Sequence, residues 1–166
     1  MEHCELRFSF ACLVLFLATA RPALSLEDKV IFEASFSGHL TISDGTSAFG
    51  AYIKPGKPLN KTVVFEPFIG IEHRLRHTAL TWAAALRKDF PQPRWTPFLR
   101  LGYGAETNLV GPFAETKSLW LAGFGCLIPF FDGVALRFDY ELQRLHGTSF
   151  DAGRHNFLLG VLIQWK

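Results

Sequence analysis

The chain has 166 residues, 49% hydrophobic, 14% aromatic and 19% charged, with seventeen Phe and a formal net charge of +2. That is the length of one domain and too apolar for a disordered chain. Lys and Arg are scattered along it, so the basic footprint that a nucleic-acid partner requires is missing.

The N-terminus reads as an export signal. Phe8 to Ala20 is an apolar run, too short to span a bilayer as a helix and of the size of a signal-peptide hydrophobic region. Ala23 and Ser25 put small residues at the −3 and −1 positions of a cut before Leu26. Residues 1–25 are therefore expected to be a signal peptide and residues 26–166 the mature domain, a helical membrane anchor being the alternative, because Glu2 and Glu5 offset the charge of Arg7. Cys4 and Cys12 leave with the signal. Cys126 alone can form neither an internal disulfide nor a cysteine metal cluster, and is expected to act as a small hydrophobe.

From Leu26 onward the dominant pattern is alternation with period two, the mark of strands with unlike faces. Val30, Phe32, Phe36, Leu40 and Ile42 alternate with Glu33, Ser35, Ser37, His39 and Thr41, and Asp44-Gly45 supplies a turn. A short second segment, Phe49 to Lys54, runs into the breakers Pro55-Gly56-Lys57-Pro58. The third sets Phe65, Ile69 and Ile71 against Glu66, Gly70, Glu72 and Arg74; the fourth sets Leu80, Trp82 and Leu86 against Thr81, Ala83, Ala85 and Arg87, and Pro91-Gln92-Pro93 ends it. The fifth sets Leu99, Leu101 and Tyr103 against Arg100, Gly102, Gly104 and Glu106, with a polar connection expected from Thr107 to Lys117. The sixth is Trp120 to Ile128. In the seventh, Val134, Leu136, Phe138, Tyr140 and Leu142 oppose Ala135, Arg137, Asp139, Glu141 and Gln143. After a second expected loop, Leu145 to His155, the eighth puts Phe157, Leu159, Val161, Ile163 and Trp165 on one face and Asn156, Gly160 and Gln164 on the other.

Eight such segments predict an all-β fold, an eight-stranded antiparallel up-and-down barrel with porin-like topology. A soluble lipocalin-like barrel with an apolar interior would show the same period. Three features favour the transmembrane form. The polar faces mix Gly, Ala and Ser with charges of both signs; the apolar faces carry almost no Lys or Glu; and Trp95, Trp120 and Trp165 fall where an interfacial girdle belongs. An Arg facing lipid at the midplane costs about 2–4 kcal/mol. Glu66, Glu72, Arg74, Arg100, Glu106, Arg137, Asp139 and Glu141 are therefore expected to point inward and pair in a lumen charge network. Arg137, Asp139 and Glu141 share one side of their strand, and Arg100 or Arg74 is expected against those carboxylates.

Ala135-Leu-Arg-Phe-Asp-Tyr140, Asn156-Phe-Leu-Leu-Gly-Val-Leu-Ile-Gln-Trp165 and Thr96-Pro-Phe-Leu-Arg-Leu-Gly-Tyr-Gly-Ala105 resemble strands of bacterial outer-membrane β-barrel proteins of the OmpA-like transmembrane type. The resemblance, over about residues 62–165, implies a monomer in the bacterial outer membrane, in contact with its lipid and lipopolysaccharide and delivered by the barrel-insertion machinery. Members of that family usually end on the aromatic residue this machinery reads; here Trp165 precedes Lys166. Phe65-Glu-Pro-Phe68 with the fifth and seventh strands also resembles the outer-membrane lipid A deacylases, whose His-x-Ser-Asn motif follows the seventh strand. Aligned through Tyr140, this chain has Arg144 for the His, His146 for the Ser and Gly147 for the Asn, so the catalytic pair is not matched.

His146, Thr148, Ser149, Asp151 and His155 are the one cluster that could be arranged as a Ser-His-acid site, and a solvated loop is the preferred reading of it. His73 and His77 could flank a hairpin tip, but the six His lack metal-ligand spacing within an element. No cofactor is expected. The function read from sequence is a non-enzymatic barrel with a structural or surface-interaction role, its contacts on the loops 107–117 and 145–155. A lipid A deacylase-like hydrolase is the alternative.

Overall fold

Period-two alternation gives each strand a face for the inside and a face for the outside, and eight such strands satisfy their backbones by closing on one another. In the computed structural model, which describes residues 32–43, 46–74, 77–110, 112–146 and 153–165, they are β1 (Phe32–Ser43), β2 (Thr46–Pro58), β3 (Val63–Arg74), β4 (His77–Asp89), β5 (Thr96–Val110), β6 (Phe113–Phe131), β7 (Val134–Leu145) and β8 (Arg154–Trp165). Each pairs antiparallel with the next, and β8 returns to β1 in register from Phe32↔Trp165 to Ile42↔His155. The segment read as a signal peptide and the Asp44-Gly45 turn lie outside the described residues.

The barrel is turned inside out relative to a soluble protein. Among the described residues, eighteen polar or charged residues are buried against sixteen hydrophobic ones, and Glu66, Arg87 and Glu141 have no exposure at all. Ile69, Phe124 and Leu159 on the outer wall are each more than half exposed. Such a wall is stable only against hydrocarbon, and a closed sheet needs no water for its backbone. This is the distribution of a membrane-spanning barrel. From Trp165 at one border to His155 at the other, β8 covers roughly 25 Å along the membrane normal, the height of an outer-membrane apolar band.

Three segments depart from the sequence reading. β2 does not stop at Lys54 but continues through the breakers to Pro58. Pro55 has no N–H to give; the β2–β3 ladder is interrupted there, between Ile53↔Ile69 and Lys57↔Phe65, while the β1–β2 ladder runs on through Ala34↔Pro55. The expected loop 107–117 is mostly ladder, paired down to Val110↔Phe113, with Thr107 and Thr116 hydroxyls 3.0 Å apart across the strands. Trp120 therefore lies within β6 and not at its end. The long loop 145–155 is shorter than expected, because β7 runs to Leu145 and β8 starts at Arg154.

Inside, aromatic rings pack directly on bare backbone. The Tyr52 ring covers Gly70, where an added Cβ would fall 1.8 Å from its Cδ1, and it meets Phe68 edge-on at 5.4 Å. Gly70→Leu should eject that ring and destabilise the barrel by about 1–3 kcal/mol or more through overpacking. The check is the temperature at which the compact gel band is lost; an unchanged temperature would show that the ring does not sit there.

Candidate functional site: the charged lumen

An eight-stranded barrel is only wide enough for its own side chains, so residues on its inner face meet across the lumen. The structure buries seven of the eight residues read as a charge network, Glu66, Glu72, Arg100, Glu106, Arg137, Asp139 and Glu141, and leaves Arg74 partly buried at the rim. They fall into two groups.

The first surrounds Glu66 of β3. Its Oε1 accepts hydrogen bonds from the Arg87 guanidinium at 2.5 Å and the Arg137 guanidinium at 2.6 Å, its Oε2 accepts from Arg137 at 3.1 Å, and Arg100 Nε lies 3.1 Å from Oε2. Arg137 also bonds Asp139 on its own strand at 2.9 Å, and Arg100 reaches Glu141. Lys54 of β2 completes the ring, its ammonium 2.8 Å from Asp139 and 3.0 Å from Glu141. Arg87 extends it to Glu33 at 2.6 Å and Asp89 at 2.7 Å.

The second group lies toward the other end. Arg74 bonds Glu72 and, at 3.2 Å, Glu106; Arg154 bonds Glu106; and the Thr41 hydroxyl donates to Glu72 at 2.6 Å. Of the two partners anticipated for the β7 carboxylates, Arg100 meets them and Arg74 does not. Arg74 stands near the opposite end of β3 and pairs with β5 instead.

These ion pairs involve six cations and seven carboxylates. Charges buried without near balance would each cost several kcal/mol. Apolar rings fill the gaps: Arg100 lies 4.6 Å over Phe68 and Arg137 5.0 Å over Phe98, distances at which a guanidinium is attracted to a ring face. The sequence reading did not include Lys54, Arg87, Glu33, Asp89 or Arg154. Arg87 and Glu33 stood on polar faces and could have been included from alternation alone. Lys54 was hidden by the breakers that follow it, and Arg154 by its assignment to a loop.

The five-residue Ser-His-acid cluster is not one loop. His146 is an exposed turn residue, while His155 belongs to β8, where its Nδ1 is 2.7 Å from the Tyr140 hydroxyl on the outer wall. Thr148, Ser149 and Asp151 lie outside the described residues, as does the side chain of His77.

Fold and lumen together define a transmembrane eight-stranded barrel with a charged, filled interior. No family model matches the chain and no curated protein matches it. Among solved structures it is similar to Neisserial surface protein A, with TM-score 0.62 and 15% identity over 81% of this chain and 96% of that one. It is also similar to the N-terminal β-barrel domain of Pseudomonas aeruginosa OprF, with TM-score 0.59 and 16% identity over 80% and 97%. The outer-membrane enzyme PagL shares the fold too, with TM-score 0.54 and 15% identity over 79% and 98%. At these identities the likeness is one of fold, and the fold is that of bacterial outer-membrane barrels.

Proposed function

We propose that the protein is a plugged barrel of the bacterial outer membrane, monomeric and non-enzymatic, with a structural or surface-interaction role. One observation carries the reading: Glu66 holds three guanidinium groups from β4, β5 and β7 in the lumen, so an ion would have to displace a balanced network to pass. Delivery by the barrel-insertion machinery is part of the same proposal and rests on the family resemblance. The contact surface would be the β5–β6 hairpin and the β7–β8 connection. A hydrolase acting on lipid A acyl chains, the rival, needs a Ser–His pair, and the resemblance puts Arg144 and His146 in its place.

In planar bilayers at neutral pH the purified protein should give no steady unitary conductance. A stable ohmic channel would refute the plug.

A further inference from the structure

The wall of the barrel is broken between β2 and β3. Ile53↔Ile69 and Lys57↔Phe65 are paired and the rungs between them are not; the register on either side sets Pro55 opposite Pro67. Rungs of an antiparallel ladder alternate between residues that exchange two hydrogen bonds and residues that exchange none. Three successive rungs are lost when the middle one is a bonding rung and neither of its residues has an N–H to give. The far side of each proline agrees. Ala34↔Pro55 and Pro67↔Ala84 stay in register, since a residue that bonds toward one neighbour needs no bond from the other. Elsewhere Pro97 faces Cys126 and Pro129 faces Ala135, partners that still have an N–H.

The break lies deep in the membrane. A path from strand to strand runs from Ile163 through Ala34, Pro55, Pro67, Ala84 and Tyr103 to Trp120. Because barrel strands tilt, it climbs from the border marked by Trp165 to the girdle at Trp120, and the two prolines stand near its middle. At that depth no water substitutes for a missing ladder bond, so the wall is weakest where its surroundings are least polar.

Packing closes the break. Lys54 and Glu66 flank it on the lumen side, but Lys54 pairs with β7 and Glu66 with β4, β5 and β7. Those ion pairs cross the lumen and not the seam. The Tyr52 ring of β2, lying on Gly70 and edge-on to Phe68 of β3, does span it.

We propose that the β2–β3 seam is a lateral gate. The strands part between Ile53 and Lys57, the Tyr52 ring lifts from Gly70, and the lumen opens sideways to the hydrocarbon of the bilayer. The charged network shuts the barrel along its axis; the gate gives a way in across the wall to an apolar molecule already dissolved in the membrane. It stands on the membrane-spanning fold and is independent of the surface role proposed above.

The test uses the protein isolated from membranes and carrying Cys126→Ser, in vesicles of a phosphatidylcholine whose acyl chain bears a diazirine at mid-length. Adducts formed on irradiation are mapped by mass spectrometry, with the outward Leu159 as the reference labelled in every variant. Gly56 and Phe68, inward residues beside the seam, should be labelled several-fold above Arg137 and Leu158, inward residues of the continuous β7–β8 ladder. Pro55→Val with Pro67→Val, which restores both N–H groups on a lipid-facing rung, should lower that labelling to background. Ile53→Cys with Ile69→Cys, on a rung whose spacing a disulfide can bridge, should do the same when oxidised and recover when reduced; this arm decides the question even if the valine pair fails to insert. Background labelling of Gly56 and Phe68 without either replacement, or labelling unchanged by the oxidised cysteines or by an inserted valine pair, would overturn the gate. Equal labelling of all four inward residues would also overturn it, because it reports breathing of the whole barrel.

Discussion

Glu66→Gln should cost more stability than any other single change in the lumen. The carboxylate accepts from Arg87 and Arg137 and lies 3.1 Å from Arg100, and the amide that replaces it is neutral and turns an N–H₂ toward one of them. Breaking a buried ion pair by removing one partner costs about 3–5 kcal/mol, and here a single residue serves three buried cations. Arg137→Leu should cost less, since Glu66 would still hold Arg87 and Arg100. Urea-unfolding midpoints in lipid vesicles measure both. A Glu66→Gln midpoint equal to that of wild type would mean that the network does not hold the barrel together.

Leu159→Arg should be damaging for a different reason. Leu159 is 58% exposed on the outer face of β8, between the Trp165 border and the His155 border, so a guanidinium placed there faces hydrocarbon near mid-depth at a cost of about 2–4 kcal/mol. The same replacement at Phe113, 76% exposed in β6 beyond the girdle residue Trp120, should change little. Unfolding of the two variants in the same vesicles separates depth from exposure. Equal effects would remove the basis for placing the apolar band.

What could be read from the sequence follows from where the membrane acts on it. In β7 every outward residue from Val134 to Leu142 is apolar and the inward set carries Arg137, Asp139 and Glu141, because lipid on one side and a filled lumen on the other constrain alternate positions. β2 carries Lys54 inward and Lys57 outward around Pro55, so neither face declares itself and the strand's extent was obscured. Beyond the band the constraint lapses: Thr107 to Lys117 lost the alternation and looked like a loop, although hydrogen bonding continued the strands. Which charges meet was legible only in part, since Arg100 and Arg74 were both candidates for the β7 carboxylates and only Arg100 reaches them. Pairing of Arg100 with Glu141, and of Arg74 with Glu106, depends on register and shear, which alternation does not encode.

The seam between β1 and β8 ties the first described strand to the last. Thr41 of β1 stands opposite Asn156 of β8, its hydroxyl 2.7 Å from the Asn156 side chain across 115 positions of sequence, and until those two strands meet, each presents an open row of N–H and C=O groups. In hydrocarbon such edges have no substitute partner, so a barrel of fewer strands cannot persist as a resting state. The lumen charges share that condition, since Lys54 on β2 finds its counter-ions, among the described residues, on β7. Contacts of such long sequence separation form slowly, because the entropy of closing the whole chain is lost before any of them contributes. Assembly is therefore all or nothing, and the species most exposed to aggregation or proteolysis is the nearly complete sheet whose ends have yet to join.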